Sequence, residues 1–286
     1  MTFDLPHLHD IRQTAKYARF METIGWQVVC IGPTYAFVKK LPLAPFFLIK
    51  VLRHHQWLSV NQIQLIKQKY WPLIFKQEPL IIEKQKDSFI YFRIEPKNSS
   101  PLLPTKTIWL NLSLPEKEVL TRMKAKTRYN LKKAVKNKLN VEIIPGNKIK
   151  QAQLKAFYEL WSHNKPHNWL FKPHFSELNH LVKSFGKNCF FVFVFYNSQI
   201  SNHKSILAAC SLQLASSNMC FYWHNASTPD GKKLFAPTLC VWEAVKEARR
   251  RKLKVFDFEG VWDERFPKLN QGWKGLSRFK EGFTTK

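Results

Sequence analysis

The sequence predicts an α+β fold, and three observations support that class. From Pro115 onward the apolar patterns read as helix, strand, helices, antiparallel strands, helix and strand in succession. The chain has 286 residues, 45% hydrophobic and 23% charged, which is enough to bury one large core or two smaller ones. It contains no residue-level repeat, heptad pattern or low-complexity tract. Layers of helices and sheets are therefore expected.

The elements follow from the spacing of apolar residues. In the first part of the chain, a β-rich run over residues 26–40 is broken by a tight turn at Gly32-Pro33. Residues 57–71 have the apolar spacing of an amphipathic helix. Further strands are predicted at 46–52, 89–96 and 107–112.

The remainder is predicted to begin with one long helix over residues 115–139, because Pro115 suits a first helical turn. The other predicted helices are 148–163, 175–185 and one that begins near Pro237 and ends in three arginines at 249–251. The strands predicted between and after them are 140–144, 189–196, 206–215, 219–224 and 255–258.

The charge balance is the most unusual bulk property. Lys and Arg number 46 against 20 Asp and Glu, which gives a net charge of +26 and a pI near 10.0. Such a charge favours polyanionic partners, and both nucleic acid and an anionic membrane surface fit.

Cysteine usage and the apolar stretches predict the compartment. The five cysteines are odd in number and scattered, without a C-x-x-C pair, which is typical of reduced cytosolic thiols. The N-terminus does not resemble a signal peptide. The most apolar stretch, residues 41–48, contains two prolines and is too short to cross a bilayer. A soluble cytoplasmic protein is expected.

Several chemistries lack their motifs. The nine glycines form neither G-x-G-x-x-G nor G-x-x-x-x-G-K-[ST], and H-E-x-x-H and G-x-S-x-G are absent. His163 and His167 are four residues apart, but Pro166 between them argues against a helical metal pair. The sequence therefore predicts no metal, no cofactor and no covalent nucleophile.

A basic helix stands out between Thr121 and Asn140, where eight Lys or Arg residues occur without an acid. Arg128, Lys132 and Lys136 repeat at i, i+4 and i+8 and share one face, with Leu131, Ala134 and Val135 as the expected apolar stripe. Like charges at this spacing destabilise a helix by about 0.2–0.5 kcal/mol per pair. The pattern favours contact with a polyanion, and a merely solvated basic face is the alternative.

Five blocks of sequence resemble the Fem (FemABX) family of peptidoglycan cross-bridge aminoacyltransferases. That family places a strand before a helix of the form Met-Lys-x-Lys-Thr-Arg-Tyr-Asn-Ile-Arg-x-Ala. The blocks, in the family's order, are FRIEP at 92–96; TIWLNL at 107–112 with MKAKTRYNLKKA at 123–134; YWHNAS at 222–227 with AP at 236–237 and WE at 242–243; FDFEG at 256–260; and RFKEGF at 278–283. Together they span about two thirds of the chain, from residue 89 to residue 283.

The resemblance implies two acyl-CoA N-acyltransferase-like (GNAT) lobes that face each other across a cleft, without a helical-arm insertion. The expected lobes are residues 1–112 and 113–286. It also implies a reaction in which an amine of the stem peptide attacks the ester of an aminoacyl-tRNA. The expected acceptor is a lipid-linked or UDP-linked muropeptide, and the expected enzyme is a cytoplasmic monomer that contacts the inner membrane leaflet peripherally.

Site residues follow from the same blocks. The resemblance assigns Lys280 to charge stabilisation at the tetrahedral centre, and Asp257 or Glu259 is the candidate proton acceptor. The candidates for phosphate or tRNA contact are basic residues of the long helix and a pair before the Ala236-Pro237 helix start. They are Lys126, Arg128, Lys132, Lys133, Lys232 and Lys233.

Two other functions remain open at this point. An acyl-CoA-dependent N-acyltransferase would need a pyrophosphate loop before a helix, and residues 231–237 are a poor version of one. A non-enzymatic RNA-binding protein would explain the charge but not the late blocks around Asp257 and Lys280.

Overall fold

The computed structural model describes residues 9–42, 45–94, 100–164, 174–197 and 205–284. Its first unit is a four-stranded sheet in the order β1-β2-β3-β4. Helix α1 precedes this sheet, and α2 connects the parallel strands β3 and β4. The bounds are α1 Ala15–Thr23, β1 Gln27–Ile31, β2 Thr34–Lys40, β3 Phe47–Leu52, α2 Val60–Tyr70 and β4 Pro72–Glu78.

Local sequence explains where α2 begins. The Ser59 hydroxyl accepts a hydrogen bond from the Gln62 amide, and the Gln62 side chain accepts one from the Ser59 amide, which forms a capping box. Ile66 and Tyr70 of this helix are buried against Ile49 and Val51 of the sheet. The other face of the sheet turns toward α1, where Phe37 is fully buried.

The second unit is an eight-stranded sheet in the order β5-β6-β7-β12-β11-β10-β9-β8. Strand β7 pairs antiparallel with β12, and β12 pairs parallel with β11, so this sheet joins strands from before and after residue 112. The bounds are β5 Ile82–Lys86, β6 Phe89–Phe92, β7 Lys106–Asn111, β8 Asn140–Pro145, β9 Cys189–Asn197, β10 Ser205–Ser216, β11 Met219–Ser227 and β12 Val255–Asp257.

Helices cover both faces of the large sheet and create two cores. On one face α4 and α8 pack over Phe256 and Val192, with Trp242 between them. On the other face α1, α5 and α6 pack over Phe191 and Phe221. The remaining bounds are α3 Glu116–Thr121, α4 Ala125–Lys136, α5 Gln151–His163, α6 Phe175–Phe185, α7 Pro229–Lys233, α8 Ala236–Arg250 and α9 Lys274–Lys280.

The predicted fold class is confirmed: the structure is α+β, with two sheets and a cleft. The longest helix of the described residues has 15 residues, so none of them forms a long helical arm. The hairpin at Gly32-Pro33 is also confirmed, as β1 pairs antiparallel with β2. The division of the lobes at Leu112, the residue after β7, stays a prediction.

Two details of the basic helix were wrong. The predicted helix over 115–139 is two helices, α3 and α4, because the chain turns at Met123, where the Arg128 guanidinium donates to the Thr121 and Met123 carbonyls. Val135, expected in the apolar stripe, is 64% exposed. Thr127, Leu131 and Ala134 form the buried face instead, since they share one side of the helix at spacings of three and four.

Candidate active site

A cleft of about 850 Å³ opens beside the large sheet. Its walls come from β11, the first turn of α8 and α9, and Arg12 reaches it from the N-terminal part of the chain. Asn130 of α4 and Trp161 of α5 also line it. The volume suits a ligand of small-molecule size.

Lys280, the last residue of α9, lies in the wall of this cleft. Its side chain is buried, and Nζ donates to the Phe258 carbonyl at 2.6 Å and to the Gly260 carbonyl at 2.8 Å. An ammonium carries three protons, and within the described residues these are its two acceptors, so one proton is left for a bound group. Burial lowers the pKa of Lys280 to about 8, and the neighbouring charges of Glu259 and Asp257 oppose that shift.

The turn after β12 presents these two carbonyls. Glu259 has φ 55° and Gly260 has φ +98°, both in the left-handed region. A Cβ atom on Gly260 would lie 2.6 Å from Cγ of Pro104. Only glycine fits there. The turn points the carbonyls of Phe258 and Gly260 toward Lys280 of α9.

Asp257 is buried just behind the cleft. Its Oδ1 accepts hydrogen bonds from the Thr107 hydroxyl at 2.5 Å and from the Glu259 amide at 2.8 Å. Burial, followed by the charge of Glu259, raises the pKa of Asp257 to about 7. The side chain borders a narrow pocket with Thr107 and Trp109 rather than the main cleft.

Glu259 borders both the narrow pocket and the main cleft. Its carboxylate forms an ion pair with Arg12, at 2.6 Å between Oε2 and Nη2. Asp10 holds the other side of the guanidinium at 3.1 Å. Burial alone would lower the pKa of Arg12, but the charges of the two carboxylates raise it well above its ordinary value. The guanidinium therefore stays charged and ties the N-terminal segment to the end of β12.

Arg12 was missed by the sequence analysis. It lies in none of the five blocks, and its partner Glu259 is 247 residues away in the chain. The one signal near it was an acid two residues earlier, Asp10, whose side chain accepts from the Arg12 amide at 2.8 Å.

The basic residues of α4 divide into two groups. Lys126 and Lys133 lie four residues before and three residues after Asn130, which lines the cleft, so they share its side of the helix. Both lysines are exposed. Arg128 is half-buried and donates to the carbonyls at the end of α3, while Lys132 is exposed on the neighbouring side. The structure thus places Lys126 and Lys133 nearer the cleft than the pair Arg128 and Lys132.

The second basic pair also separates. Lys232 lines the cleft beside the first turn of α8, together with Phe235 and Pro237. Lys233 does not line it and pairs with Asp230 at 2.9 Å on the surface. Of the two, only Lys232 is placed to meet a ligand in the cleft.

The cleft also holds aromatic and thiol groups that the sequence analysis did not single out. The rings of Trp161 and His224 stack with centroids 4.1 Å apart, and the Arg12 guanidinium lies 4.9 Å from the Trp223 ring. Cys210 and Cys240 line the cleft as well. Burial raises the pKa of Cys240 to about 12 and that of Cys210 well above its ordinary value, so both thiols stay neutral and are poor nucleophiles.

Comparison with known proteins adds a family and a fold. A family model described as an acetyltransferase (GNAT) domain matches residues 121–274. The sequence matches no curated protein.

Solved structures match over nearly the whole chain, at identities low enough that the likeness concerns the fold alone. The crystal structure of FemX has a TM-score of 0.76 and 14% identity, over 96% of this chain and 89% of that one. The C-terminal domain of a putative lysylphosphatidylglycerol synthetase from Agrobacterium fabrum has a TM-score of 0.58 and 13% identity, over 96% and 86%. L-PGS from Bacillus licheniformis has a TM-score of 0.51 and 12% identity, over 92% and 81%.

The fold shared with FemX and the family match confirm the two GNAT-like lobes that the sequence predicted. Because that match covers more than half of the 286 residues, the chain belongs to the acetyltransferase (GNAT) domain family.

Proposed function

We propose that the protein transfers an amino acid from aminoacyl-tRNA to the stem-peptide amine of a peptidoglycan precursor. The observation that carries the proposal is the buried Lys280 ammonium, which donates to two carbonyls, keeps a third proton for a bound group and lines a cleft that Glu259 also lines. The fold shared with FemX supports the same reaction class.

The chemistry is aminolysis of an ester. The acceptor amine attacks the ester carbonyl, a C–N bond forms, and the C–O bond to the tRNA ribose breaks after a tetrahedral intermediate. The remaining N–H of Lys280 stabilises the developing oxyanion, since a fixed donor in a buried site acts most strongly where charge appears. With a pKa near 8, its ammonium is also able to return a proton to the departing ribose oxygen.

Glu259 is placed to accept the proton that the attacking amine loses, because its carboxylate borders the cleft and Asp257 lies behind it. Arg12 fixes the orientation of Glu259 through the 2.6 Å ion pair. Asp257 holds the turn by accepting from the Glu259 amide. We therefore assign Glu259 contact with the substrate and Asp257 a positioning role.

The two substrates would occupy different sides of the site. The acid-free helix α4 lies at the cleft through Asn130 and offers Lys126 and Lys133 to tRNA phosphates. Lys232 lies in α7, beside the first turn of α8, where a phosphate of the lipid-linked or nucleotide-linked precursor is favoured by a helix N-terminus. Trp161 and Trp223 offer apolar surface to the rest of the acceptor.

The test is a transfer assay with mixed charged tRNAs and either a UDP-linked or a lipid-linked muropeptide. We expect the precursor to gain the mass of one amino acid residue, detected by mass spectrometry, and Lys280→Met to slow the gain by about 10²–10³. tRNA binding that ignores the aminoacyl group, without transfer to either precursor, would instead support a non-enzymatic RNA-binding protein.

An acyl-CoA-dependent N-acyltransferase is the second candidate, because the family match is to an acetyltransferase domain. Strand β10 carries a register shift against β11 between Leu212 and Gln213, two residues beyond Cys210, which lines the cleft. A concentration-dependent rise in the melting temperature with acyl-CoA, and none with aminoacyl-tRNA, would favour this candidate.

A further inference from the structure

A patch of apolar side chains is exposed at one end of the four-stranded sheet. It consists of Phe46, Trp71, Leu73 and Ile74, here called the Trp71 patch, whose exposed fractions are 42%, 74%, 60% and 46%. Large apolar side chains scattered singly are ordinary on a protein surface, but a contiguous group marks an interaction site. The Trp71 patch is separate from the cleft, since none of its members lines it.

Strand pairing brings these residues together. β3 and β4 run parallel, with Phe47 opposite Pro72 and Leu48 opposite Ile74, so both strands begin at the same end of the sheet. Phe46 directly precedes β3, and Trp71 directly precedes β4. β4 is an edge strand, and its early residues Leu73 and Ile74 are both exposed.

The backbone holds Trp71 outward in an unusual conformation. Trp71 ends α2 with φ 43° and ψ 62°, in the left-handed region that bulky residues rarely adopt. Its amide donates to the Lys67 carbonyl and closes the helix, a position usually occupied by glycine or asparagine. A strained conformation at an exposed tryptophan is an observation that points to a function for the side chain.

Several lysines lie beside the patch, in a part of the sequence without acids. Lys67 and Lys69 lie in the last turn of α2, directly before Trp71. Lys40 pairs with Phe47 across the β2–β3 ladder and so lies beside Phe46. From residue 23 to residue 77 the sequence contains seven Lys or Arg residues and neither Asp nor Glu. The surface is therefore apolar at its centre and positive at its rim.

We propose that the Trp71 patch docks the protein on an anionic lipid bilayer. Tryptophan and phenylalanine favour the boundary between headgroups and acyl chains, and adjacent lysines are attracted to anionic headgroups. Two other occupants fit less well. In a symmetric dimer the same cationic rims would face each other, and aliphatic side chains such as Leu73 and Ile74 offer nothing for nucleic-acid bases to stack on. No helix of the described residues is both long and apolar enough to cross a membrane.

This inference extends the proposed function, because docking would bring the cleft to a lipid-linked acceptor. It rests on the surface alone, so binding to vesicles is measured without any substrate. A failure of amino-acid transfer would leave the vesicle result unchanged. Loss of vesicle binding would in turn leave open transfer to a soluble, UDP-linked precursor.

The experiment is co-sedimentation of the full chain with vesicles of phosphatidylcholine alone or with 30% phosphatidylglycerol added. We expect binding to the anionic vesicles that weakens with salt. Lys67→Gln with Lys69→Gln should weaken it about 25-fold, since each lysine near such a surface contributes about fivefold. Trp71→Asn with Leu73→Thr should weaken it at least about tenfold, because these variants keep the left-handed residue and the strand but remove apolar area.

The matched control is Leu102→Ser. Leu102 is 51% exposed, and its amide donates to Glu78 at the far end of β4, about 20 Å along the strand from Trp71. Vesicle binding by this variant should equal that of the unmodified protein. Equal binding by the Trp71 and lysine variants would overturn the proposal. So would a solution dimer, measured by light scattering, that the Trp71 variant dissociates, or a loss of tRNA binding in the same variant.

Discussion

Replacement of Lys280 tests the catalytic assignment most directly. Lys280→Met removes the ammonium and keeps most of the side-chain volume. If the third N–H stabilises the oxyanion, kcat should fall by about 10²–10³, the usual effect of removing one such donor, with KM little changed. Lys280→Arg should restore little activity, because a planar guanidinium does not replace a compact ammonium between two carbonyls.

The structure also gives the effect of Lys280 on stability. Its folded pKa of about 8 lies below the ordinary 10.5, so between these pH values the folded chain binds fewer protons than the unfolded chain. Stability should therefore rise as the pH rises from about 8 to 10.5, by on the order of 3 kcal/mol, and Lys280→Met should lose that rise. The methionine variant leaves two buried carbonyls without a donor, which costs about 1–3 kcal/mol. At neutral pH the variant no longer carries the cost of a charged lysine in a buried site. This gain nearly cancels the cost of the two carbonyls, so the variant should stay folded.

The assay is steady-state transfer from charged tRNA at varied substrate concentration, together with urea unfolding between pH 7 and pH 10. The pH profile of kcat should decline above about pH 8 as Lys280 loses its proton. Near-wild-type turnover by folded Lys280→Met protein would refute the assignment. A stability curve whose pH dependence does not change in the variant would refute the burial argument.

Three further predictions concern neighbouring features. Burial raises the pKa of Asp257 to about 7, above its ordinary 3.8, so between these pH values the folded chain binds more protons than the unfolded chain. Stability should therefore fall as the pH rises from about 4 to 7. In Asp257→Asn, urea titrations should show a flatter dependence of stability on pH over that range. Lys126→Gln with Lys133→Gln should reduce the slope of log K against log salt for tRNA by roughly 1.4–1.8, as two phosphate contacts are lost, measured by filter binding. Gly260→Ala should destabilise the fold by about 2–4 kcal/mol in thermal unfolding, because its Cβ would lie 2.6 Å from Cγ of Pro104 at a φ of +98°.

Each of the three has a control and a contradictory outcome. Asp230→Asn, at a surface carboxylate paired with Lys233, should keep the slope of stability between pH 4 and 7, and the same slope in Asp257→Asn would contradict the first. Lys155→Gln with Lys183→Gln changes two lysines on helices outside α4, and an equal loss of tRNA salt dependence there would contradict the second. Gly25→Ala has a similar φ of +82° without a close neighbour, so an equal loss of stability would show that φ rather than Pro104 decides the cost at Gly260.

Much of the fold could be predicted from local patterns. Alternating apolar residues indicate the β1–β2 hairpin, helical spacing indicates α2, and a proline at the helix start indicates α8. Each of these patterns depends only on neighbours a few residues away, so the sequence is enough to predict it. Other elements were missed for the same reason. Helix α1 is weakly apolar and gains its buried face from contacts with α6 and Phe37, and α9 has seven residues, two of them buried.

The long basic helix shows where local reasoning failed. Residues 115–139 favour helix throughout, but the chain bends at Met123. Directly after the bend, the Lys124 amide donates a hydrogen bond to the Gly282 carbonyl of the C-terminal segment. A residue 158 positions away decides that break. Helical propensity is a weak prior beside such a contact.

The sequence by itself determined the fold class, the positive charge and the blocks that contain Asp257, Glu259 and Lys280, because composition and short motifs are local properties of the chain. Only the tertiary structure decided which of these residues lie at the cleft and which do not. It placed Glu259 at the cleft and Asp257 behind it, Lys232 inside and Lys233 outside, and it brought Arg12 to Glu259 across 247 residues. The physical reason is that burial and ion pairing depend on which strands and helices pack together, and in this protein the turn after β12 contacts both Arg12 and Lys280 of α9.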